Sequence, residues 1–529
     1  MRRAAAWAAT LACGAALAAP QAAPPTAAAM AQRFSVQEYR VLGNTVLPNR
    51  AIETVLYPRL GDAKTIEDVQ AARSALEQAY HQAGYATVFV DVPPQEVTDG
   101  VVRLKVTEGR LRERTISGAR YFSEEKILEA LPATKPGQVP RLPELQRQLN
   151  AVNTQTADRS VVPVLKPGPD PGTMDLALKV DDHLPVHGGL DLNNQYTPGT
   201  EPLRATVSLG YYDLFGELDS LSGQYTWAPQ KAGQVSVLNA VYGVHPFDDG
   251  IRPSFAFINS SSDVATVGTL GVLGNGQVYM GRVSVPVANG LGGTQSLTLG
   301  LDYKHFRNTI SLSNMPSVIQ PMSYVNASLA YGGAWQRLTA PGLVQSGSFD
   351  LSVDAGPRGP ANSNLDFANN RYQARGNYIY LRGDGAMTLR LPAKLFLILR
   401  AAGQVALDPL VVYEQLSIAG ADGVRGYLEA EELGDSAIKG TVQLQTSPLV
   451  VHQRSWADLF VFFDAGRSRH LEALPDEASW TSLRSFGAGL DVLPGHSITG
   501  YLTWVESLLP GPTTAAHDSR VLFDVRGSF

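Results

Sequence analysis

The C-terminal segment from Arg520 to Phe529 alternates between apolar and polar side chains and ends on an aromatic residue. One face carries Val521, Phe523, Val525, Gly527 and Phe529, and the other carries Arg520, Asp524, Arg526 and Ser528. Only Leu522 departs from this alternation. Because successive side chains of a β-strand point to opposite faces, the segment offers apolar groups to one environment and charges to the other. A strand of a transmembrane barrel needs this division, with lipid outside and a wet lumen inside.

The composition also favours a barrel. Of the 529 residues, 44% are hydrophobic and 17% are charged, yet beyond the N-terminus no run approaches the roughly 20 apolar residues of a membrane-spanning helix. Lipid offers backbone polar groups no partners, so a membrane protein without such a helix must be a closed barrel. The formal charge of −6 argues against a strongly basic nucleic-acid surface, and no nucleic-acid partner is expected.

Residues 1–19 have the pattern of a cleaved secretory signal peptide. Arg2 and Arg3 precede the apolar run Ala4–Ala19, and this combination directs a chain out of the cytoplasm. The only cysteine, Cys13, lies within the run. The mature chain is therefore expected to lack disulfides and cysteine-bound metals.

Two copies of one pattern follow, over residues 34–111 and 112–184. In each copy, the pattern predicts the order strand, helix, helix, strand, strand. In the first copy, Thr65 and Asp68 form a capping-box pattern before a helix with apolar residues three and four apart. Generic α+β domains would satisfy these patterns. Two short motifs, however, resemble those of POTRA domains: Gly43-Asn44-Thr45-Val46-Leu47-Pro48 and Thr107-Glu108-Gly109-Arg110-Leu111.

From residue 185 to 529, segments of period two dominate, and their length allows about sixteen tilted antiparallel strands of roughly 10 residues. A soluble β-sandwich would also alternate, but it would not need a signal peptide and this many strands. The predicted fold is therefore two α+β POTRA domains followed by an all-β transmembrane barrel.

One connection of the barrel, at about residues 408–435, is unusually long; we name it loop 6. Loops of this length without secondary structure are usually functional or disordered. It contains Val424-Arg425-Gly426-Tyr427, and the next strand contains Phe462-Phe463-Asp464-Ala465-Gly466. These motifs resemble the VRGY/F and FxDxG signatures of the superfamily of POTRA-bearing outer-membrane barrels, in which the sixth extracellular loop folds into the barrel.

By this resemblance, Arg425 enters the lumen and pairs with Asp464, with Phe462 and Gly466 completing the wall motif. A wall carboxylate offers the guanidinium a bidentate, charge-assisted partner, which would hold the loop inside. Taken alone, Arg-Gly-Tyr is also compatible with an exposed turn. The two motifs together, one strand apart, favour the pairing.

The number of POTRA domains narrows the resemblance. Five are typical of the central barrel-assembly protein of this superfamily, three of its translocation-assembly relative and two of two-partner secretion transporters. The chain is thus similar to the TpsB family (ShlB/FhaC/HecB type), which secretes hemolysins and adhesins. An assembly factor of the same superfamily is the alternative, and a solute porin is a third reading.

The TpsB resemblance implies a location in the Gram-negative outer membrane, with the POTRA domains in the periplasm. The implied partners are an unfolded exoprotein with an N-terminal two-partner-secretion domain, the barrel-assembly machinery, which would read Phe529, and outer-membrane lipid. The candidate docking strands carry Val88, Val90, Val92, Arg103 and Lys105, and docking on a strand edge and docking in a helix groove both remain open.

No enzymatic activity, cofactor or metal site is expected. The Gly-x-Ser-x-Gly nucleophile motif is absent, and the histidines have no metal-ligand spacing.

TpsB transporters commonly begin with a helix that plugs the barrel and a linker. Here residues 20–33, fully helical, would extend only ~21 Å, and Pro20, Pro24 and Pro25 oppose a helix. We predict that the plug helix is absent or vestigial and that loop 6 is the main obstruction of the lumen.

Overall fold

The computed structural model describes residues 33–247, 250–262, 265–266, 272–273, 275–287, 293–310, 318–339, 343–452, 455–475, 477–494 and 497–529. The predicted signal peptide, residues 1–19, and the segment 20–32 lie outside the described residues. The chain divides into two units with a boundary between Asp182 and His183. Within the described ranges, no helix is long and apolar enough to cross a membrane.

The first domain of the N-terminal unit packs two helices against a three-stranded sheet. Its elements are Phe34–Val36, Glu38–Leu42, helix Asn49–Leu56, the short 3₁₀ helix Tyr57–Arg59, Gly61–Lys64, helix Ile66–Gln82, Val88–Asp91 and Val101–Glu108. The strand Val101–Glu108 is central, parallel to Glu38–Leu42 and antiparallel to Val88–Asp91. Phe34–Val36 and Gly61–Lys64 form a separate small pair.

The longer helix begins where its sequence predicts. The Thr65 side chain accepts from the Asp68 amide, and the Asp68 carboxylate accepts from the Thr65 amide, so the capping box is complete. The helix buries a stripe that packs into the domain core, namely Val69, Ala72, Leu76 and Tyr80. The spacing of these side chains on one face is what allows the helix to cover the sheet.

The second domain repeats this topology. Its elements are the strand Arg110–Ser117, the helix Glu124–Glu129, the 3₁₀ helix Pro132–Thr134, the helix Leu142–Thr154, and the strands Arg159–Pro167 and Thr173–Asp182. The last strand is central, parallel to the first and antiparallel to Arg159–Pro167.

A buried carboxylate at the end of the central strand fixes the same loop in both domains. Glu108 accepts hydrogen bonds from the amides of Thr45 and Val46, at 2.5 and 3.1 Å. Asp182 accepts from the three consecutive amides of residues 120–122, at 2.9, 3.0 and 3.3 Å. Burial raises the pKa of the Asp182 carboxyl, but the three donors outweigh it and leave this pKa below its ordinary value.

Asp182→Asn is expected to destabilise the loop at residues 120–122 by about 1–3 kcal/mol, because an amide replaces a charged acceptor of three donors. Hydrogen–deuterium exchange of the full-length protein should show faster exchange of these amides. Asp181→Asn removes the exposed neighbouring carboxylate and should leave exchange unchanged. Since the Asp182 pKa is lowered, its contribution is complete above the ordinary aspartate value of about 3.9 and disappears as pH falls below it. Equal exchange in both variants would contradict this role.

The described residues of the second unit form a closed antiparallel barrel of sixteen strands, which confirms the predicted fold class. Leu449–His452 pairs with the same strand as Ser436–Thr446 and continues it, so the two count as one. In order, the strands are Val186–Asn193, Arg204–Leu214, Asp219–Trp227, Ser236–Gly243, Arg252–Ser260, Gly276–Pro286, Gly293–Ile310, Val318–Thr339, Leu343–Ala355, Ile379–Leu391, Leu395–Ala406, Ser436–Thr446 with Leu449–His452, Ser455–Arg469, Trp480–Leu493, Ile498–Ser507 and Ser519–Ser528.

The connections between barrel strands contain some secondary structure of their own. They include a two-residue strand pair, Ala265–Thr266 with Val272–Leu273, the helix Asn364–Asn370 and the 3₁₀ helix Pro392–Lys394.

The last strand closes the barrel against the first, with Asp524 opposite Asn193 and Ser528 opposite Gly189. Val521 and Val525 are exposed on the outside, whereas Asp524 is buried inside. The residue that breaks the alternation, Leu522, packs inside the barrel in an apolar cluster with Phe460, Phe462 and Val505. The exception in the sequence pattern therefore marks a packed site in the lumen.

Candidate functional site: loop 6 inside the barrel

Loop 6 leaves the strand Leu395–Ala406 and returns at Ser436–Thr446. It contains a short 3₁₀ helix, Val412–Glu414, and closes on itself where Leu416–Ser417 pairs with Leu433–Gly434. The loop is therefore a structured hairpin whose tip carries the Val424–Tyr427 motif.

Two glycines shape the tip. The Gly423 amide donates to the Gly420 carbonyl at 3.0 Å and closes a tight turn. Gly426 has a φ of +96°, in the region that favours glycine, and a Cβ on it would lie 3.1 Å from Cγ2 of Val505. The chain consequently reverses beside Arg425, and the guanidinium points at the wall.

Arg425 and Asp464 form a bidentate ion pair. Nε and Nη2 of Arg425 lie 2.8 and 2.9 Å from the two carboxylate oxygens, and the backbone amide of Arg425 donates to the same carboxylate at 3.1 Å. Asp464 is fully buried. Such a charge is stable in the interior only while its partner and donors remain in place.

Other residues of the barrel wall also contact Arg425 or make room for the loop tip. Its guanidinium carbon lies 3.3 Å from the ring centre of Phe462, and Nη1 donates to Gln443 at 3.2 Å. Gly466 provides room, because a Cβ there would lie 3.0 Å from Cγ2 of Val424. Residues 462, 464 and 466 alternate along the strand, so all three face the lumen.

Val424 and Tyr427 fix the tip on both sides of the arginine. Val424 is fully buried in a cluster with Ile418 and Leu483. The Tyr427 hydroxyl lies 2.6 Å from the carbonyl oxygen of Leu509 and 3.0 Å from that of Arg484. Every residue of the motif thus has a packing or bonding partner in the barrel.

The sequence reasoning missed the buried carboxylates of loop 6. Glu431 accepts from the amides of Thr513 and Thr514 at 2.8 and 2.7 Å. Glu432 accepts from the Ser468 hydroxyl at 2.6 Å, and Asp435 is fully buried. The acidic run in residues 429–435 was the available signal, but such a run equally fits a solvated loop.

A cavity of about 900 Å³ lies in the lumen beside the loop tip. Its lining includes the charged residues Arg400, Arg425 and Asp491. It also includes neutral polar side chains of the early barrel strands, namely Thr206, Ser208, Ser222, Gln224 and Asn239. The lumen is therefore polar where loop 6 leaves it open.

The structure corrects the predicted docking residues of the first domain. The side chains of Val88 and Val90 are 0% exposed and belong to its core, so they cannot contact a partner. Val92 packs against the same core and is only partly exposed. Arg103 and Lys105 are exposed on the opposite face of the sheet. The period of two explains the error, because one strand presents alternate residues to the core and to solvent.

The edge of the strand Val88–Asp91 also has bonding partners already. The Val90 amide donates to Glu77 at 3.0 Å, and Arg73 donates to the Val90 carbonyl at 2.9 Å. His81 lies 3.1 Å from the Val88 carbonyl. A strand added at this edge would have to displace these helix side chains.

Phe529 lies at the seam between the first and last barrel strands. Its amide donates to the Gly188 carbonyl at 3.0 Å, and the Gly188 amide donates back at 3.2 Å. The ring packs so closely on Gly188 that a Cβ there would lie 2.3 Å from its tip.

Together, the repeated α+β domains, the sixteen-strand barrel and the anchored loop define a POTRA-bearing barrel of the outer membrane. The model of the ShlB-type POTRA domain matches residues 34–109. The model of the haemolysin secretion/activation protein ShlB/FhaC/HecB matches residues 172–492, more than half of the chain. The chain therefore belongs to the ShlB/FhaC/HecB family of haemolysin secretion/activation proteins.

Among curated relatives, the outer membrane transporter CdiB of Dickeya dadantii (strain 3937) is 26% identical over 186 residues, which cover 35% of this chain and 32% of the relative. The alignment thus spans about a third of that relative. The structure of CdiB from Escherichia coli has a TM-score of 0.57 at 19% identity and covers 96% of this chain and 93% of that one.

BamA from Haemophilus ducreyi, in a structure lacking POTRA domains 1–3, also has a TM-score of 0.57, at 14% identity. The match covers 94% of this chain and 100% of that one. At these identities the similarity to both solved structures concerns the fold.

Proposed function

We propose that this protein is the outer-membrane translocator of a two-partner secretion system. It would bind an unfolded exoprotein of the hemolysin or adhesin type through its POTRA domains and conduct it through the barrel to the cell surface. The observation that carries this proposal is the Arg425–Asp464 anchor, which holds a 28-residue loop, residues 408–435, inside the lumen of a secretion-family barrel. The transporter name of its relatives agrees with this function.

For docking, we favour the solvent face of the first POTRA sheet over the edge of the strand Val88–Asp91. This face combines an aromatic ring, Phe89, at 55% exposure with the cations Arg103 and Lys105. Cations and an exposed ring suit an extended partner segment with acidic and apolar side chains. The edge is less suitable because Arg73 and Glu77 already bind its backbone.

Passage through the lumen requires the tip of loop 6 to move, since its side chains occupy the space beside the cavity. The neutral polar wall formed by Ser208, Ser222 and Asn239 can exchange hydrogen bonds with an unfolded backbone without holding any one sequence. Folding of the exoprotein outside the cell would supply the driving force. The protein itself needs no catalytic group or cofactor for these steps.

Secretion of a co-expressed exoprotein tests the function. An exoprotein encoded beside this chain should be expressed with and without the chain, and the exoprotein measured in the medium. We expect export only when both are present, with the abundance of other outer-membrane barrels unchanged. Equal export without this chain would exclude the translocator function. Depletion of many barrels on its loss would instead support an assembly factor.

A further inference from the structure

A second anchor holds loop 6 at its base, away from the Arg425 motif. The Glu414 carboxylate is 1% exposed and receives three donors from the barrel wall. Nζ of Lys304 and the hydroxyl of Tyr324 each lie 2.5 Å from one oxygen, and the hydroxyl of Tyr380 lies 2.9 Å from the other. A buried carboxylate with one cation and two hydroxyls is a fully bonded charge.

The backbone at the same residue is also held. The Glu414 carbonyl accepts from Gln404 at 3.0 Å and from Arg382 at 3.3 Å. With the side-chain contacts, Glu414 is bonded to four barrel strands, Gly293–Ile310, Val318–Thr339, Ile379–Leu391 and Leu395–Ala406. Asp464, the partner of Arg425, lies on a different strand, Ser455–Arg469. The two anchors therefore fix loop 6 to different parts of the wall.

Aromatic packing reinforces the base. The ring of Tyr413 stacks on Phe306 with a centroid distance of 3.7 Å and an interplanar angle of 17°. Leu410 and Val411, both 1% exposed, belong to the same core cluster. The base thus combines a bonded charge with an apolar core of its own, separate from the cluster around Val424 at the tip.

Asp435 connects the two ends of the loop at this base. Its carboxylate accepts from the Leu410 amide and the Gln415 side chain, each at 2.9 Å, and from Arg371 at 2.9 Å. The entry and exit of loop 6 are consequently bound to one another and to the wall. A segment restrained in this way can act as a hinge for what lies beyond it.

We infer that Glu414 is a positioning residue that keeps the base of loop 6 on the wall while the Arg425 tip is released. Loop 6 would then open as a flap hinged at residues 410–415, rather than leave the barrel as a whole. The inference rests on the proposed translocator function for its purpose. The structural part of the inference is that the two anchors release independently, and this can be measured without any exoprotein.

Single-cysteine labelling tests the two anchors separately. The background replaces Cys13, the only native cysteine, by alanine. Val411→Cys then reports on the base and Val424→Cys on the tip, since both side chains are buried. A membrane-impermeant maleimide is applied to outer-membrane vesicles that contain the inserted full-length protein, and the labelling rates are compared.

In Glu414→Gln we expect the base probe to label about tenfold faster, because Lys304 loses its buried counter-charge and the opening free energy of the base falls. In Arg425→Ala we expect the tip probe to label at least about 100-fold faster while the base probe stays within about twofold of the parent. The matched control is Asp302→Asn, which removes a buried wall carboxylate two residues from Lys304 that pairs with Arg282. Both probes should be unaffected by it.

Unchanged base labelling in Glu414→Gln would overturn the inference, and so would a base exposed equally by Arg425→Ala. If Glu414→Gln fails to insert, the double variant Tyr324→Phe/Tyr380→Phe serves instead, because it keeps both rings and removes two donors. Exoprotein in the medium is the second readout, normalised to inserted barrel. Independent release of the anchors with no export by the parent protein would contradict the translocator function and leave the two-anchor device standing.

Discussion

Arg425→Ala is expected to abolish export of the exoprotein while the barrel remains inserted. The substitution leaves Asp464 buried without a counter-charge, which costs about 3–5 kcal/mol, and it removes the contact with the Phe462 ring. The docked tip would then no longer be the dominant state of loop 6, and the lumen would lose its ordered flap. Exoprotein in the medium, divided by the amount of heat-modifiable barrel in the outer membrane, measures the effect.

Two matched variants separate the effect of losing the bidentate contact with Asp464 from the effect of losing a positive charge in the lumen. Arg425→Lys retains the cation but not the planar fork that binds both Asp464 oxygens, so we expect export between those of the parent and of Arg425→Ala. Arg400→Gln removes another lumen arginine beside the same cavity and should export normally. Normal export by Arg425→Ala would remove the proposed role of the residue. Equal loss in Arg400→Gln would attribute the effect to lumen charge.

Removal of Phe529 is expected to lower the amount of inserted barrel, with little effect on export by each inserted molecule. The deletion removes the ring proposed as the assembly signal and two backbone hydrogen bonds to Gly188, each contributing about 0.5–1.5 kcal/mol. The amount of heat-modifiable barrel in the outer membrane measures insertion. The amount of secreted exoprotein divided by the amount of this barrel measures export by each inserted molecule.

Two further variants, Phe529→Ala and Gly188→Ala, distinguish a role of Phe529 as an assembly signal from a role in packing between the first and last strands. Phe529→Ala retains the backbone pairing and loses the ring, so a signal function predicts a loss of insertion close to that of the deletion. Gly188→Ala leaves the signal intact but places a Cβ within 2.3 Å of the ring. If Gly188→Ala alone reproduced the deletion, seam packing rather than recognition would explain the effect.

Local patterns predicted much of this protein. The Thr65 capping box, the repeated α+β order and the alternating barrel strands follow from spacing within short segments, which the chain geometry alone enforces. The docking valines show where this reasoning fails. A period of two states that neighbours on one strand, such as Val88 and Phe89, lie on different faces, but it does not state which face meets the core.

The sequence by itself determined that the chain forms a membrane barrel and which two motifs, one in loop 6 and one on a later barrel strand, are candidates to form a contact. Those properties depend on alternation and on the few residue types that can form a buried ion pair. Only the tertiary structure decided that Glu414, Glu431 and Asp435 are buried anchors and that Leu522 packs in the lumen. Their partners, such as Lys304 and Thr514, lie 110 and 83 residues away. Closure of the barrel brings these groups together, and a local sequence pattern does not predict contacts between residues so far apart along the chain.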